Sequence, residues 1–108
     1  LFVLAFAFIS SQAISQRVTP KLNQHYLTSS LGYSGCKDEY TLKRLMQAVK
    51  AKDNVTFKRY HDNGDCLVFK REVIVKVINI TNDGHWVELK KEGINASLWT
   101  VTEALKEY

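Results

Sequence analysis

Residues 64–105 read GDCLVFKREVIVKVINITNDGHWVELKKEGINASLWTVTEAL, the most informative stretch of the chain for its expected architecture. From Cys66 onward apolar residues recur with a period near two. Cys66–Lys70 reads as a short strand. Val73, Val75 and Val77 alternate with Ile74, Lys76 and Ile78 in a long β-branched strand over 72–81. Asn82-Asp83-Gly84 is a hairpin turn signal. His85–Lys91 then returns, with Val87 and Leu89 on one face and Trp86 and Glu88 on the other. Glu92-Gly93 turns again, Asn95–Thr100 is the next strand, and Thr102–Lys106 makes a final helical turn. Strands this short, joined by tight turns, suit a small closed or nearly closed barrel. Such a barrel more often serves as a binding platform than as a catalytic centre.

Upstream, the period is helical. Leu42, Leu45, Met46 and Val49 fall at i, i+3, i+4 and i+7, one apolar stripe on a helix over 38–50. Asp38 and Glu39 at its start and Lys50 at its end suit the helix dipole. After a corner at Ala51-Lys52, Asp53 can cap a second helix over 54–62, with Phe57 and Tyr60 on its inner face. Asn63-Gly64 stops it, with Gly64 available for a left-handed cap. Residues 14–35 hold Pro20, Gly32 and Gly35 without steady periodicity and read as an N-terminal arm or loop. Val18, Leu22, Tyr26 and Leu27 in that arm allow a short helix after Pro20.

The chain has 108 residues, enough for one domain. Its opening, LFVLAFAFISSQA, carries no charge. Leu1–Ile9 has the character of an export-signal h-region, and Ser11-Gln12-Ala13 places small residues as a signal cleavage site requires. The competing reading is a buried N-terminal helix; the run is shorter than the roughly 20 residues a membrane span needs. Two cysteines, Cys36 and Cys66, fit an oxidising compartment and permit one intramolecular bridge. That bridge would close a loop of 30 residues, worth roughly 3–4 kcal/mol in the chain-entropy account.

Asp65-Cys66-Leu67, Val73-Ile74-Val75, Gly84-His85-Trp86-Val87-Glu88-Leu89, Gly93, Leu98-Trp99-Thr100 and Ala104-Leu105 together resemble bacterial SH3-like domains. The Gly35-Cys36-Lys37-Asp38 opening, with a second Cys before the strands, resembles a group of small exported bacterial proteins. The likeness spans about residues 35–106. Lys70-Arg71-Glu72 and Ile94-Asn95-Ala96-Ser97 depart from the family's glycine-rich pattern, and no ligand residue carries over. The resemblance implies an α+β fold, an N-terminal helical pair packed on a small five-stranded SH3-like antiparallel β-barrel. The expected organisation is a signal peptide over 1–13, an arm over 14–35, and the helical pair plus barrel over 36–108. The implied function is that of a non-catalytic secreted or periplasmic binding module contacting a protein or cell-envelope ligand. The alternative is an inhibitor or immunity-type protein that blocks a toxin or cell-wall enzyme.

Charge is unevenly distributed. Residues 41–71 carry eight basic and three acidic side chains, a net of +5, whereas residues 72–108 carry four basic and six acidic ones. A basic helical half can steer the protein toward an anionic partner, or it can be a solvated face. Nucleic acid is not expected, because aromatics do not interleave with the basic residues and RNA-binding signatures are lacking. Trp86, Trp99 and Tyr60, with Lys58 and Arg59, form the candidate binding surface; the competing reading packs the aromatics against the helices. His61, Asp62 and Asp65 flank Gly64, but the spacing is not that of an EF-hand, and a helix stop explains them. No catalytic residue, metal site or cofactor is expected. Asn54-Val55-Thr56, Asn79-Ile80-Thr81 and Asn95-Ala96-Ser97 are N-glycosylation sequons.

Overall fold

The computed structural model describes residues 18–108, so the export-signal reading of residues 1–13 lies outside them. The first helix, α1, runs Glu39–Lys50. Asp38 caps it: its Oδ1 accepts from the Thr41 backbone N–H at 2.6 Å. The second helix, α2, runs Asn54–Asp62, and the Asp53 carboxylate accepts from both the backbone N–H and the hydroxyl of Thr56. The two caps explain why both helices start where the sequence suggests. Along α1 the buried positions are Thr41, Leu42, Leu45 and Ala48, while Val49 is 46% exposed. The stripe thus ends on Ala48 rather than Val49. The corner after α1 folds back there, with the Asp53 N–H donating to the Ala48 carbonyl at 2.9 Å, and a small side chain lets it close.

Seven strands form one antiparallel sheet. They are β1 (His25–Thr28), β2 (Ser34–Cys36), β3 (Cys66–Val68), β4 (Ile74–Ile80), β5 (Trp86–Lys91), β6 (Ser97–Val101) and β7 (Leu105–Glu107). Their order across the sheet is β3-β2-β6-β5-β4-β1-β7. The sheet is therefore open, with β3 and β7 at its edges, and the expectation of a five-stranded barrel behind an N-terminal helical pair is overturned. The helices lie mid-chain, inserted between β2 and β3. Three strands are not among those expected: β1 and most of β2 lie in the segment expected to be an arm, and β7 overlaps the expected final helical turn. Tyr26 and Leu27, assigned above to a short helix, pair instead with Val75 and Ile74 of β4 on one side and with Glu107 and Lys106 of β7 on the other. Strands of four and three residues are too short to show a period, so their pairing partners decide their conformation.

The β4–β5–β6 meander follows the sequence closely. Its first turn is tied by Asp83, whose Oδ1 accepts from the Thr81 hydroxyl at 2.6 Å and the His85 N–H at 3.0 Å. Gly84 and Gly93 sit at φ +74° and +83°, the left-handed region that these two hairpin turns require. The β4–β5 register shifts between Val77 and Asn79, a bulge at Ile78. A single 3₁₀ turn, Thr102–Ala104, replaces the expected helical turn and delivers β7 to β1.

Two apolar clusters divide the interior. The larger gathers Val18, Tyr26, Phe69, Val75, Val77, Val87, Leu89, Ala104 and Leu105. The smaller joins Cys36, Cys66, Leu42 and Leu45, with Met46, Phe57, Tyr60, Trp86 and Trp99 packed against it. Alternation along β5 produces this division: Val87 and Leu89 enter the first cluster, whereas Trp86 meets the helices. Cys36 and Cys66 are directly opposite one another in the β2–β3 pair and form a disulfide. The bond points to an oxidising compartment. No helix among the described residues is long and apolar enough to cross a membrane.

The Asp38 cap gives a pH-dependent prediction. Hydrogen bonds from the Thr41 backbone N–H, and then from its hydroxyl, hold the Asp38 carboxyl below its usual value of 3.8. A folded-state value below the unfolded one adds stability above the unfolded pKa and loses it as pH falls through the folded value. Asp38→Ala is expected to cost about 1 kcal/mol at neutral pH. Chemical denaturation repeated at successively lower pH below 3.8 should show that difference shrinking, as the Asp38 carboxyl of the unsubstituted protein takes up its proton.

Candidate functional site

The open sheet leaves a gap over its larger cluster. From β3 at one edge, the chain leaves through Phe69-Lys70-Arg71 and enters β4 at Ile74. On the far side, the β5–β6 turn carries Ile94 and Ala96. Between these segments lies a cavity of about 460 Å³, within the range of small-ligand sites. Phe69, Val75 and Leu89 are buried at its base, and Val73 and Leu98 are half-buried along it. Leu67 and Ile94 also line it, at 47% and 45% exposure. Phe69, Val75, Leu89, Val73 and Leu98 belong to the main cluster or pack against it, whereas Leu67 and Ile94 are exposed at the cavity.

Phe69 is held on one side by Gly35 of β2. A Cβ at Gly35 would meet the Phe69 ring at 2.7 Å and Leu98 Cβ at 3.3 Å. The absence of that side chain lets the ring lie against the β2 backbone. Thr28, at the β1 end of the cavity, fixes the β3–β4 connector from below. Its hydroxyl donates to the Arg71 carbonyl and accepts from the Val73 N–H, both at 3.0 Å.

Three cations line the cavity: Lys70, Arg71 and Lys91. All three are exposed, and no acidic side chain lines the cavity with them. Glu72, next to Arg71, is engaged by Lys106. Arg71 and Lys91 also border an adjoining depression with His25, Glu72, Glu92 and Tyr108, where the charge is mixed. Arg71 and Lys91 thus stand between the apolar cavity and this mixed-charge depression.

The residues singled out from the sequence lie elsewhere. Trp86, Trp99 and Tyr60 are half-buried and pack against the smaller cluster, beneath and beside the helices. Lys58 and Arg59 are exposed on α2 beside a shallow depression with Val55, Asp62 and Asn63. Lys58 pairs with Asp62, and the Arg59 guanidinium lies 5.8 Å from the Tyr60 ring centroid. The fold thus places the aromatics inward and the two cations outward. Two further basic side chains near α1 are paired as well, Lys43 with Glu39 and Lys37 with Asp65. The Asp65 carboxylate, by hydrogen bond and charge, raises the Lys37 pKa.

His61 does not meet a carboxylate. Its Nδ1 lies 2.8 Å from the Phe57 carbonyl oxygen and its Nε2 lies 2.9 Å from Ser34 Oγ. A carbonyl can only accept, so Nδ1 carries a proton, and in the neutral imidazole Nε2 accepts from the Ser34 hydroxyl. The pair joins α2 to β2, and neither residue lines the cavity. Among the described residues no group of three His, Cys, Asp or Glu side chains could hold a metal ion. The sequon asparagines Asn54, Asn79 and Asn95 are all exposed, and Asn95 falls in the β5–β6 turn rather than in a strand.

The sequence carried a faint sign of the cavity. Leu67-Val68-Phe69 runs straight into Lys70-Arg71, an apolar triplet followed by two cations. Nothing local joins that run to Lys91, Ile94 or Leu98, which reach it only through sheet pairing. No protein-family model, curated protein or solved structure matches the chain.

Proposed function

We propose that the chain is an exported, non-catalytic binding module whose ligand has an apolar body and a negative charge. The observation that carries this reading is the uncovered end of the main core, an apolar cavity lined by Lys70, Arg71 and Lys91 and by no acid. Burial of a ligand's apolar surface there supplies affinity, at roughly 25 cal/mol per Å² before the costs of association. The cations orient the charged end and speed encounter. The Cys36–Cys66 bond supports a secreted or periplasmic setting. His61, the natural starting point for acid–base chemistry, supports the non-catalytic reading because both ring nitrogens are engaged, Nδ1 by the Phe57 carbonyl within α2 and Nε2 by Ser34 of β2.

Titration with 1-anilinonaphthalene-8-sulfonate, a small apolar anion, tests the reading. A saturable fluorescence increase is expected, weakened by about tenfold in Arg71→Glu/Lys91→Glu, a loss of roughly 1.4 kcal/mol. Far-ultraviolet circular dichroism of that variant should be unchanged, because both residues are exposed. No saturable binding, or equal binding to the double variant, would overturn the proposal.

A further inference from the structure

The cavity's shape and chemistry narrow the class of ligand, and the following rests on the binding reading just given. We propose that the occupant is a single acyl chain ending in a carboxylate, a long-chain fatty acid. The lining falls into two parts. One is aliphatic and aromatic: Leu67, Phe69, Val75, Leu89, Ile94 and Leu98, drawn from β3, β4, β5, β6 and the segments beside them. The other is the set of three cations, Lys70 and Arg71 from the β3–β4 connector and Lys91 from the end of β5. An acyl carboxylate has the same division, one long apolar portion and one charged terminus.

Arg71 suits the terminus, since a guanidinium can hold a carboxylate through two parallel N–H···O bonds. Lys70 and Lys91 approach from separate segments, and none of the three cations forms an ion pair among the described residues. A ligand carboxylate therefore has no ion-pair partner to displace among the described residues. A neutral acyl ester would fill the apolar part and leave the cations without a partner. A peptide would bring backbone amides over an apolar base, where their hydrogen bonds would be unmet. The single-chain anion satisfies both parts of the lining.

The test uses the full chain with its disulfide intact and stripped of lipid. The fluorescent fatty acid cis-parinarate is bound first and then displaced by palmitate, palmitoyl lysophosphatidate or monopalmitoylglycerol. Palmitate is expected to displace it, with monopalmitoylglycerol at least about tenfold weaker. Arg71→Gln should weaken palmitate while leaving monopalmitoylglycerol unchanged. Ala96→Trp, at an exposed position lining the cavity, should fill the space and abolish displaceable binding without unfolding the protein. Equal displacement by the neutral ester would overturn the carboxylate assignment, and so would a marked preference for the lysophosphatidate. Sedimentation with phosphatidylserine vesicles, without palmitate displacement, would overturn it in favour of a membrane surface. Binding of the anilinonaphthalene sulfonate without parinarate binding would overturn the fatty-acid assignment alone; absence of both would overturn the binding reading too.

Discussion

Replacing Cys36 and Cys66 together by alanine is expected to lower the free energy of unfolding by about 3–4 kcal/mol. The bond closes a segment whose ends are 30 residues apart and which contains both helices. Without it the unfolded chain recovers the loop-closure entropy of that whole excursion. The folded state also loses contact at a central place, since the two cysteines are 0% and 3% exposed and sit between Leu42, Leu45 and Trp99. For a domain of this size such a loss is a large part of the usual 5–15 kcal/mol. Denaturant titration of the double variant and the unsubstituted protein measures it. A difference below about 1 kcal/mol would mean that the bond adds little to a helical layer already secured by packing. Hydrogen exchange should locate the effect, with protection falling first in α1 and α2 and last in β4 and β5.

Leu42→Ala is the second large effect, expected at about 2–5 kcal/mol. Leu42 is fully buried in the smaller cluster, against the disulfide and the helix-facing aromatics. Truncation removes transfer free energy and leaves a cavity whose lining includes a covalent cross-link, so collapse onto the space is restricted. Val49→Ala is the control on the same helix. Val49 is 46% exposed, and its truncation should stay within about 0.5 kcal/mol. The pair separates the apolar stripe suggested by spacing alone from the face that the sheet covers. Because Leu42 shares one apolar cluster with the two cysteines, Leu42→Ala combined with the cysteine double variant should be non-additive. Additivity within about 0.5 kcal/mol would show that the helices rest on the sheet independently of the bond.

The helices and the β4–β5–β6 meander were legible in the sequence because each is decided by short-range interactions. Asp38 and Asp53 supply acceptors to orphan N–H groups three residues ahead, and Gly84 permits a backbone that a side chain would resist. Alternation in Val75-Lys76-Val77 and Trp86-Val87-Glu88-Leu89 assigns faces once a strand exists. The same pattern left the identity of each face open: Val87 and Leu89 could be read as inward, but what Trp86 met could not. Placement of the helices on the Trp86 and Trp99 side settled that, and it is a property of the whole sheet.

Neighbouring residues were enough for the local features: two capped helices, a meander with its turns, and a cysteine pair suited to one bridge. Tertiary structure decided that His25–Thr28 and Ser34–Cys36 are strands, that the sheet stays open, and that Phe69, Arg71, Lys91 and Leu98 share one cavity. The reason is range. A cap or a hairpin turn is completed within a few residues, so its chemistry is written in adjacent letters. A three-residue strand gains its stability from partners such as Trp99, opposite Cys36 across the sheet, and a cavity exists only where distant segments stop short of meeting.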